Sequence, residues 1–374
     1  MRYAGLVANL SVLLLFAVAA LLRGYNESLY YLSVQEDEIL EWATFWGFVV
    51  AAGIYFFQGW HSLKANRQLP WFVFGLSLFC FFVAMEEISW GQRLLGYKAP
   101  DYFLEQNYQQ EFNFHNVVDS GARRLVLQLI LLGYGVALSG VSLWSPVTRV
   151  LSRFRVVAPP PMLIVSFLAM FIVYTWYPWS HTGEWVELAM GFGFAYAALF
   201  SQGSPHGVSK RCIVKMVMIV FVAIWSLAGL TVFVVRYAHA ADPARADMAR
   251  LEIEALARDF NGPKLHTRCG VHKRLYTFVR EYQQPYLLEG EFARLLLTHG
   301  DDARADYLLD PWNSAYWIRH KCDDGREAKF VYSFGPNRRR DSSEWEIAGQ
   351  DINRPSTGAD ITGDDIGVYL KTKK

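Results

Sequence analysis

The sequence of 374 residues lacks several features that would assign it to a familiar class of protein. Its 36 basic and 35 acidic side chains leave a net charge of +1, which argues against a general nucleic-acid-binding protein. It contains no phosphate-binding P-loop, no dinucleotide-binding glycine pattern, no hydrolase nucleophile elbow and no His-Glu-x-x-His zinc motif. Cysteine is also scarce, with four residues in the whole chain.

Charge is scarce in the first part of the chain. Residues 1–236 hold 15 basic and 13 acidic side chains, whereas the shorter remainder holds 21 and 22. This division is typical of a membrane domain followed by a water-soluble domain, and it excludes an ordinary soluble enzyme. We predict a polytopic α-helical transmembrane domain at 1–236, an amphipathic helix continuing from the last span at 237–262, and a small α+β soluble domain at 263–374.

Long uncharged stretches predict the membrane spans, because a helix needs about 20 apolar residues to cross a bilayer. Seven stretches come close to that length: 3–22, 42–63, 68–85, 125–148, 156–183, 188–209 and 216–235. The fifth span is expected to begin near Met162, because the three prolines at 159–161 can precede a helix but cannot lie inside one.

Lysine and arginine predict the orientation, because they are enriched in cytoplasmic connections. Alternate connections carry Lys or Arg and no acidic residue, whereas all 13 acidic residues of the membrane part lie in the other set, at 23–41, 86–124 and 184–187. The pattern predicts a cytoplasmic N-terminus and an exported C-terminal domain, which in a bacterium means inner membrane and periplasm. Cleavage of the first span after Ala17-Val18-Ala19 is the alternative, and it leaves the remaining topology unchanged.

Two cysteines fall in the soluble tail. Cys269 and Cys322 are expected in an oxidising compartment, where a bridge between them would close a loop of about fifty residues. The alternative is two free thiols. Cys80 and Cys212 lie in or beside predicted spans and have no evident partner.

A second group of residues is expected at the outer face of the membrane. The candidates are Glu86, Glu87, His115, His181, Glu184 and Glu187. Glu86 and Glu87 end the third span, and His181, Glu184 and Glu187 share one face if the next helix has begun by His181. Such groups can bind zinc or a di-metal centre, or supply an acid and a base. The alternative is structural: Glu86 or Glu87 pairs with Arg93, Arg123 or Arg124, while His181 and Glu184 cap a helix.

The tail contains signals for several elements. An amphipathic helix begins behind Pro243 and ends near Asn261, with Met248, Leu251, Ala255 and Leu256 on its apolar face. A second helix is predicted around 287–299, and strands at 315–319 and 329–334.

Three short motifs follow in this tail. They are Asp310-Pro311-Trp312, Ser333-Phe334-Gly335 and Asp364-Asp365-Ile366. Their order and spacing resemble the C-terminal domain of the major pseudopilin of type II secretion systems. In that family an aspartate-proline-tryptophan turn precedes a strand, a serine-X-glycine element ends the next strand, and an aspartate-aspartate-isoleucine element closes the domain. The resemblance covers about residues 305–370 and implies a pilin-like α+β domain.

The resemblance also implies calcium in the last loop, bound by Asp364 and Asp365 with Asp360 and Asp351 as further candidates. The alternative is an exposed acidic loop that holds no ion. This chain departs from the family in carrying three arginines, 338–340, after the serine-X-glycine element. It also lacks the pilin processing site, with its phenylalanine and glutamate, at the start of the seventh span.

The sequence therefore favours an integral inner-membrane protein that displays a pseudopilin-like periplasmic domain. Its partners would be membrane lipid and envelope or secretion-system proteins, with no nucleic acid. The alternative is a membrane-embedded metal-dependent or acid/base enzyme that acts on a lipid or lipid-linked substrate at the periplasmic face.

Overall fold

The computed structural model describes residues 2–107, 109–201, 210–239, 243–260, 268–282, 289–323, 326–338, 340 and 364–370. These residues are mostly helical, and they include one four-stranded antiparallel sheet near the C-terminus.

Sixteen α-helical segments occur in the described residues. They are α1 (Arg2–Tyr25), α2 (Glu27–Ser33), α3 (Ile39–Asn66), α4 (Trp71–Glu87), α5 (Gln92–Leu95), α6 (Asp101–Gln106), α7 (Ser120–Leu129), α8 (Ser139–Val141), α9 (Ser145–Arg153), α10 (Ile164–Trp176), α11 (Thr182–Ser201), α12 (Lys210–His239), α13 (Pro243–Phe260), α14 (Leu275–Glu281), α15 (Glu291–Thr298) and α16 (Asp302–Tyr307). A π-helical stretch, Ile130–Leu138, joins α7 to α8, and short 3₁₀ turns occupy Ser89–Gly91 and Pro161–Leu163. The strands are β1 (Val271–Arg274), β2 (Trp317–Asp323), β3 (Arg326–Ser333) and β4 (Ile366–Leu370).

The chain divides into two compact units. The membrane unit comprises Met1–Gly91 and Asn113–Phe233, and the tail unit comprises Gln92–Phe112 and Val234–Lys374. The boundary within α12 lies close to the sequence-based boundary at 236. The difference is 92–112, which the sequence places in a connection between spans and which the structure groups with the tail.

Four helices in the described part of the chain are long and apolar enough to cross a membrane. They are Tyr3–Tyr25, Ile39–Asn66, Ser120–Val141 and Cys212–Arg236. These match four of the seven predicted spans; the count of seven is not confirmed. The fifth predicted span contains a shorter apolar helix, Pro161–Trp176, which begins close to Met162 as expected.

Helices α3 and α11 pack in parallel at the centre of the membrane unit. A Cβ added to Gly47 would come within 3.0 Å of the backbone of Gly191, so the two helices approach closely in the first third of α3 and midway along α11. Near their ends, the Gln58 side-chain amide donates to the carbonyl oxygen of Ala198 at 2.6 Å. Because contacts follow the same order along both helices, α3 and α11 begin at the same end of the unit.

Helix α4 runs antiparallel to α3. The Ser77 hydroxyl, midway along α4, donates to the Ala52 carbonyl at 2.9 Å, and Phe74 near the start of α4 packs against Gly59 near the end of α3. The C-terminal end of α4 therefore lies at the same end of the unit as the first turns of α3 and α11.

The tail unit is built on the antiparallel sheet, with strand order β1-β2-β3-β4. Ile318 on β2 and Val331 on β3 face a core that includes Ile253 and Leu256 of α13. The neighbouring side chains Phe330 and Tyr332 point to the opposite face because side chains alternate along a strand. Helix α13 ends at Phe260, as the sequence predicts, but its apolar face differs, since Leu251 is exposed.

A buried ion pair ties α13 to α16 and to the chain entering β2. Glu252 is fully buried, and both its oxygens lie 2.7 Å from Nη2 of Arg304. The Tyr316 hydroxyl donates to the same carboxylate at 2.6 Å. Burial raises the pKa of Glu252 to about 7, although Arg304 and Tyr316 both stabilise its charged form.

The predicted disulfide is present. Cys269, two residues before β1, is bonded to Cys322 on β2. Because 53 positions separate the two cysteines, the chain-entropy model assigns the bridge roughly 4 kcal/mol of stabilisation.

Residues 92–112 are held in the tail unit by hydrogen bonds. The Asn313 amide donates to the Gly96 carbonyl at 3.1 Å, and the Arg280 guanidinium donates to the Glu105 carbonyl at 2.7 Å. The Gln110 amide donates to the carbonyl oxygen of Tyr307 at 3.2 Å. This segment is therefore part of the tail unit although it lies between two apolar helices in the sequence.

Candidate functional sites

The membrane unit gathers acidic residues from three helices at one end. Glu41 lies in the first turn of α3, Glu86 and Glu87 end α4, and Glu184 and Glu187 lie near the start of α11. The parallel packing of α3 on α11 and the antiparallel course of α4 bring these ends together. We call these five residues the glutamate cluster.

Glu86 is the best-anchored member of the cluster. It is buried, and its Oε2 accepts hydrogen bonds from the backbone N–H groups of Phe114 at 2.7 Å and His115 at 2.9 Å. The Trp90 indole donates to Oε1 at 2.7 Å, and Nδ1 of His115 lies 3.4 Å from Oε2. Glu86 therefore fixes the segment that carries His115 beside the cluster.

Glu87 interacts electrostatically with the other four members of the cluster, all of which are carboxyl groups. Such a concentration of carboxyl groups is unfavourable unless protons or cations offset it.

Two basic groups border the cluster. His115 and Arg123 both interact electrostatically with Glu187, and Arg123 also interacts with Glu184. The structural alternative paired Glu86 or Glu87, rather than Glu184 or Glu187, with an arginine. At Glu86, the described partners are instead backbone amides, Trp90 and His115. The side chain of Arg93 lies outside the described residues.

The structure places one sequence candidate elsewhere. His181 precedes α11, which begins at Thr182, and its backbone has a φ of +60°. The helical face expected to join His181 to Glu184 and Glu187 is therefore not formed. The exposed His181 ring instead packs edge-on against Tyr31, with 5.9 Å between centroids.

Glu41 was missed as a cluster member by the sequence reasoning. Its signal was its position in the first turn of a span on the acidic side of the membrane, the same side as Glu86 and Glu184. Sidedness alone does not single it out among the other acidic residues of 23–41.

A second site lies in the tail unit, where the Asp-Pro-Trp, Ser-Phe-Gly and Asp-Asp-Ile motifs meet. Asp310 is fully buried, and its Oδ1 accepts from the backbone N–H groups of Trp312 at 3.0 Å and Ser314 at 2.8 Å. Its Oδ2 accepts from the Ser333 hydroxyl at 2.6 Å. Burial raises the pKa of Asp310, while these hydrogen bonds oppose the shift.

The second motif also contacts the third. Gly335 has a φ of +69°, and a Cβ at this position would overlap the carbonyl oxygen of Asp364. The backbone N–H of Asn337 donates to Oδ2 of Asp364 at 3.2 Å. We call Asp310, Ser333, Gly335 and Asp364 the three-motif junction.

Two of the four residues implied for the calcium site, Asp364 and Asp365, lie among the described residues. Asp365 is fully buried and Asp364 is half-buried, beside the close turn at Gly335. Asp351 and Asp360 lie outside the described residues. Arg338, one of the three arginines that depart from the family pattern, is buried and interacts electrostatically with Asp310.

The junction predicts an unequal response to two glycine substitutions. Gly335→Ala is expected to destabilise the tail by about 3 kcal/mol or more. The added Cβ would overlap the backbone of Asp364, and alanine is strained at the positive φ of this position. Gly300→Ala is the matched control, since Gly300 has a φ of +76° with no atom within 4 Å of a Cβ. That change is expected to cost about 1 kcal/mol. The free energy of unfolding of each variant is measured by denaturant titration of the full chain in detergent, and hydrogen exchange in β3 and β4 reports the local stability. Equal losses of stability in the two variants would contradict the close contact between Gly335 and Asp364.

The resemblance to major pseudopilins rests on these motifs themselves. No family model matches the chain, no curated protein is similar to it at a significant level, and no solved structure matches it. The glutamate cluster and the three-motif junction are the observations from which function is inferred.

Proposed function

We propose that this chain is an integral inner-membrane protein that displays a pseudopilin-like domain in the periplasm, where the domain binds envelope or secretion-system proteins. In this proposal the membrane unit has seven spans and a cytoplasmic N-terminus. The tail is a fixed recognition module, because the chain lacks the processing site through which pilin subunits are released for assembly.

The observation that carries this proposal is the three-motif junction. The Asp-Pro-Trp, Ser-Phe-Gly and Asp-Asp-Ile elements come from separate parts of the tail, yet Asp310 binds Ser333 and Gly335 closes on Asp364. The pairing of β3 with β2 and with β4 brings the three elements together. Their convergence on the β3 side of an antiparallel sheet supports a pseudopilin-like arrangement.

Charge and cysteine support the proposed sidedness. Every other connection between the predicted spans carries Lys or Arg and no acidic residue, and this pattern favours export of the tail. The Cys269–Cys322 bridge is the redox state expected of an exported domain. The three additional spans are provided by α4, by α10 with its preceding turn, and by α11; α4 alone is about 26 Å long at 1.5 Å per residue.

Thiol labelling in spheroplasts tests the sidedness. Leu297, which is exposed on α15, is replaced by cysteine, while native Cys212 at the start of α12 is exposed and provides the opposite side. An impermeant maleimide is expected to label Leu297→Cys in intact spheroplasts and to reach Cys212 only after lysis. The reverse pattern would place the tail in the cytosol and exclude a periplasmic display function.

We propose further that calcium binds the last loop of the tail, with Asp364 and Asp365 among its ligands. A loop that combines carboxylates with backbone carbonyls supplies the oxygen ligands that calcium prefers. When bound, the ion would offset the negative charge of that loop and link β4 to the turn at Gly335.

Calcium is expected to raise the melting temperature of the full chain after chelator treatment. At a concentration 100 times the Kd, binding to the native state adds about 2.7 kcal/mol of stability. Asp364→Asn is expected to remove this response, whereas Asp302→Asn, an exposed site in the first turn of α16, leaves it intact. A melting curve that stays unchanged throughout a calcium titration would contradict the site.

The glutamate cluster supports a second candidate function, an acid/base or metal-dependent site acting on a lipid or lipid-linked substrate at the periplasmic face. Its specific support is that the ends of α3, α4 and α11 that carry Glu41, Glu87, Glu184 and Glu187 lie together, and that Nδ1 of His115 is 3.4 Å from Oε2 of Glu86. Carboxylate oxygens and an imidazole nitrogen are a donor set that binds zinc and can also transfer protons. The headgroup of a membrane lipid would contact these side chains at the ends of the helices.

Zinc binding under non-reducing conditions tests this second function, because the tail cysteines then remain bridged. Glu87→Gln and Glu187→Gln are expected to weaken zinc binding at least about tenfold, by analogy with the loss seen on removing metal-site partners. His181→Ala is the control and is expected to leave binding unchanged, since His181 packs on Tyr31 instead. Equal affinity in all three variants and the parent protein would show that the cluster binds no metal.

A further inference from the structure

The disulfide of the tail has a histidine beside it. Nε2 of His320 lies 3.4 Å from Sγ of Cys322, and His320 is almost fully buried while both cysteines are exposed. We call Cys269, His320 and Cys322 the Cys-His-Cys group. It plays no part in the three-motif junction or the glutamate cluster.

The sheet fixes the positions of these three residues. His320 and Cys322 are two residues apart on β2 and therefore project from the same face of the strand. His320 pairs with Val271 of β1, and its carbonyl accepts a hydrogen bond from the Gly270 N–H at 2.8 Å. The turn that carries Cys269 is thus held against the strand that carries the other two members.

The spacing matches what a zinc ion requires of its ligands. The two sulfurs and the imidazole nitrogen all lie within 4.8 Å of one another. With Zn–S bonds of about 2.3 Å and Zn–N bonds of about 2.0 Å, tetrahedral ligands lie roughly 3.5 to 3.8 Å apart. The distance between His320 and Cys322 is already close to this value, so only the two sulfurs must separate.

We propose that the bridge is one state of a metal site, and that the reduced Cys-His-Cys group binds Zn²⁺ through two thiolates and Nε2 of His320. A dithiol reductant opens the bridge by exchange: it becomes a disulfide, and Cys269 and Cys322 each gain one electron and one proton. Each thiol then releases its proton to solvent as its sulfur binds the metal. A water molecule completes the tetrahedron, because three protein ligands leave one position open.

Exposure of both cysteines allows this exchange to occur without opening the core. The sulfurs are accessible to a reductant, and the core residues next to the site, Val271 and Ile318, keep their packing through the β1–β2 pairing. The bound metal would link β1 to β2 in place of the covalent bond. The tail would therefore keep a cross-link in both redox states.

Zinc stoichiometry in reduced and oxidised protein tests this proposal. The full chain in detergent carries Cys212→Ser, which removes the exposed free thiol, while Cys80 is buried. After reduction by a phosphine and its removal under anaerobic conditions, ZnCl₂ is added and retained zinc is measured by elemental analysis. The reduced protein is expected to retain about one zinc per chain more than the oxidised protein. Any zinc bound by the glutamate cluster is common to both samples and cancels.

Variants and a spectroscopic probe identify the ligands. Cys322→Ser is expected to abolish the redox-dependent zinc binding. His320→Ala is expected to weaken zinc binding by more than the tenfold loss that follows removal of a group that only orients a metal ligand. His299→Ala, an exposed histidine of the same unit, is the control. Cobalt(II) is expected to show thiolate charge-transfer absorption in the reduced protein alone. Equal zinc in both redox states, or unaltered affinity in His320→Ala, would overturn the proposal; spontaneous bridge formation in His320→Ala on reoxidation shows that the variant is folded.

Discussion

Close packing of α3 against α11 is the constraint on which the membrane unit depends. Backbone meets backbone at Gly47 and Gly191, and Gln58 binds Ala198 further along both helices, so the helices lie parallel and begin at one end. Helix α4 returns along α3 and ends where they begin. Carboxyl groups separated by more than 140 positions, such as Glu41 and Glu187, then become electrostatic neighbours of Glu87. The cluster is thus a consequence of helix direction.

Buried acidic groups have different partners in the two units. In the tail, Glu252 is matched by Arg304 and Tyr316, and Asp310 is matched by Ser333 and two backbone amides. These carboxyl groups each join separate elements, as expected of structural residues. In the membrane unit, Glu86 accepts hydrogen bonds from two backbone amides and Trp90, whereas Glu87 interacts electrostatically with four other glutamates. Concentrated like charge of this kind is typical of sites that bind protons or cations.

The hairpin of β2 and β3 is secured at both ends by long-range contacts. At the end where β2 begins and β3 finishes, Asp310 binds Ser333, and Gly335 closes on Asp364. At the other end, Cys322 connects β2 to the chain before β1. One closure uses hydrogen bonds and a glycine turn, while the other is covalent and sits beside His320. The chemistry proposed for the tail therefore lies at the two ends of the same hairpin.

The sequence by itself determined the features that depend on local composition. Uncharged stretches predicted four helices that are long enough to cross a membrane, because the bilayer selects apolar residues position by position. The tail contains few cysteines, so the Cys269–Cys322 pair could also be predicted. Tertiary structure alone decided which side chains meet. It added Glu41 to the cluster and joined residues 92–112 to the tail. His181 lies beside Tyr31 because α11 begins at Thr182, after His181. Such contacts depend on where helices start and how they cross, which are set by packing between distant segments.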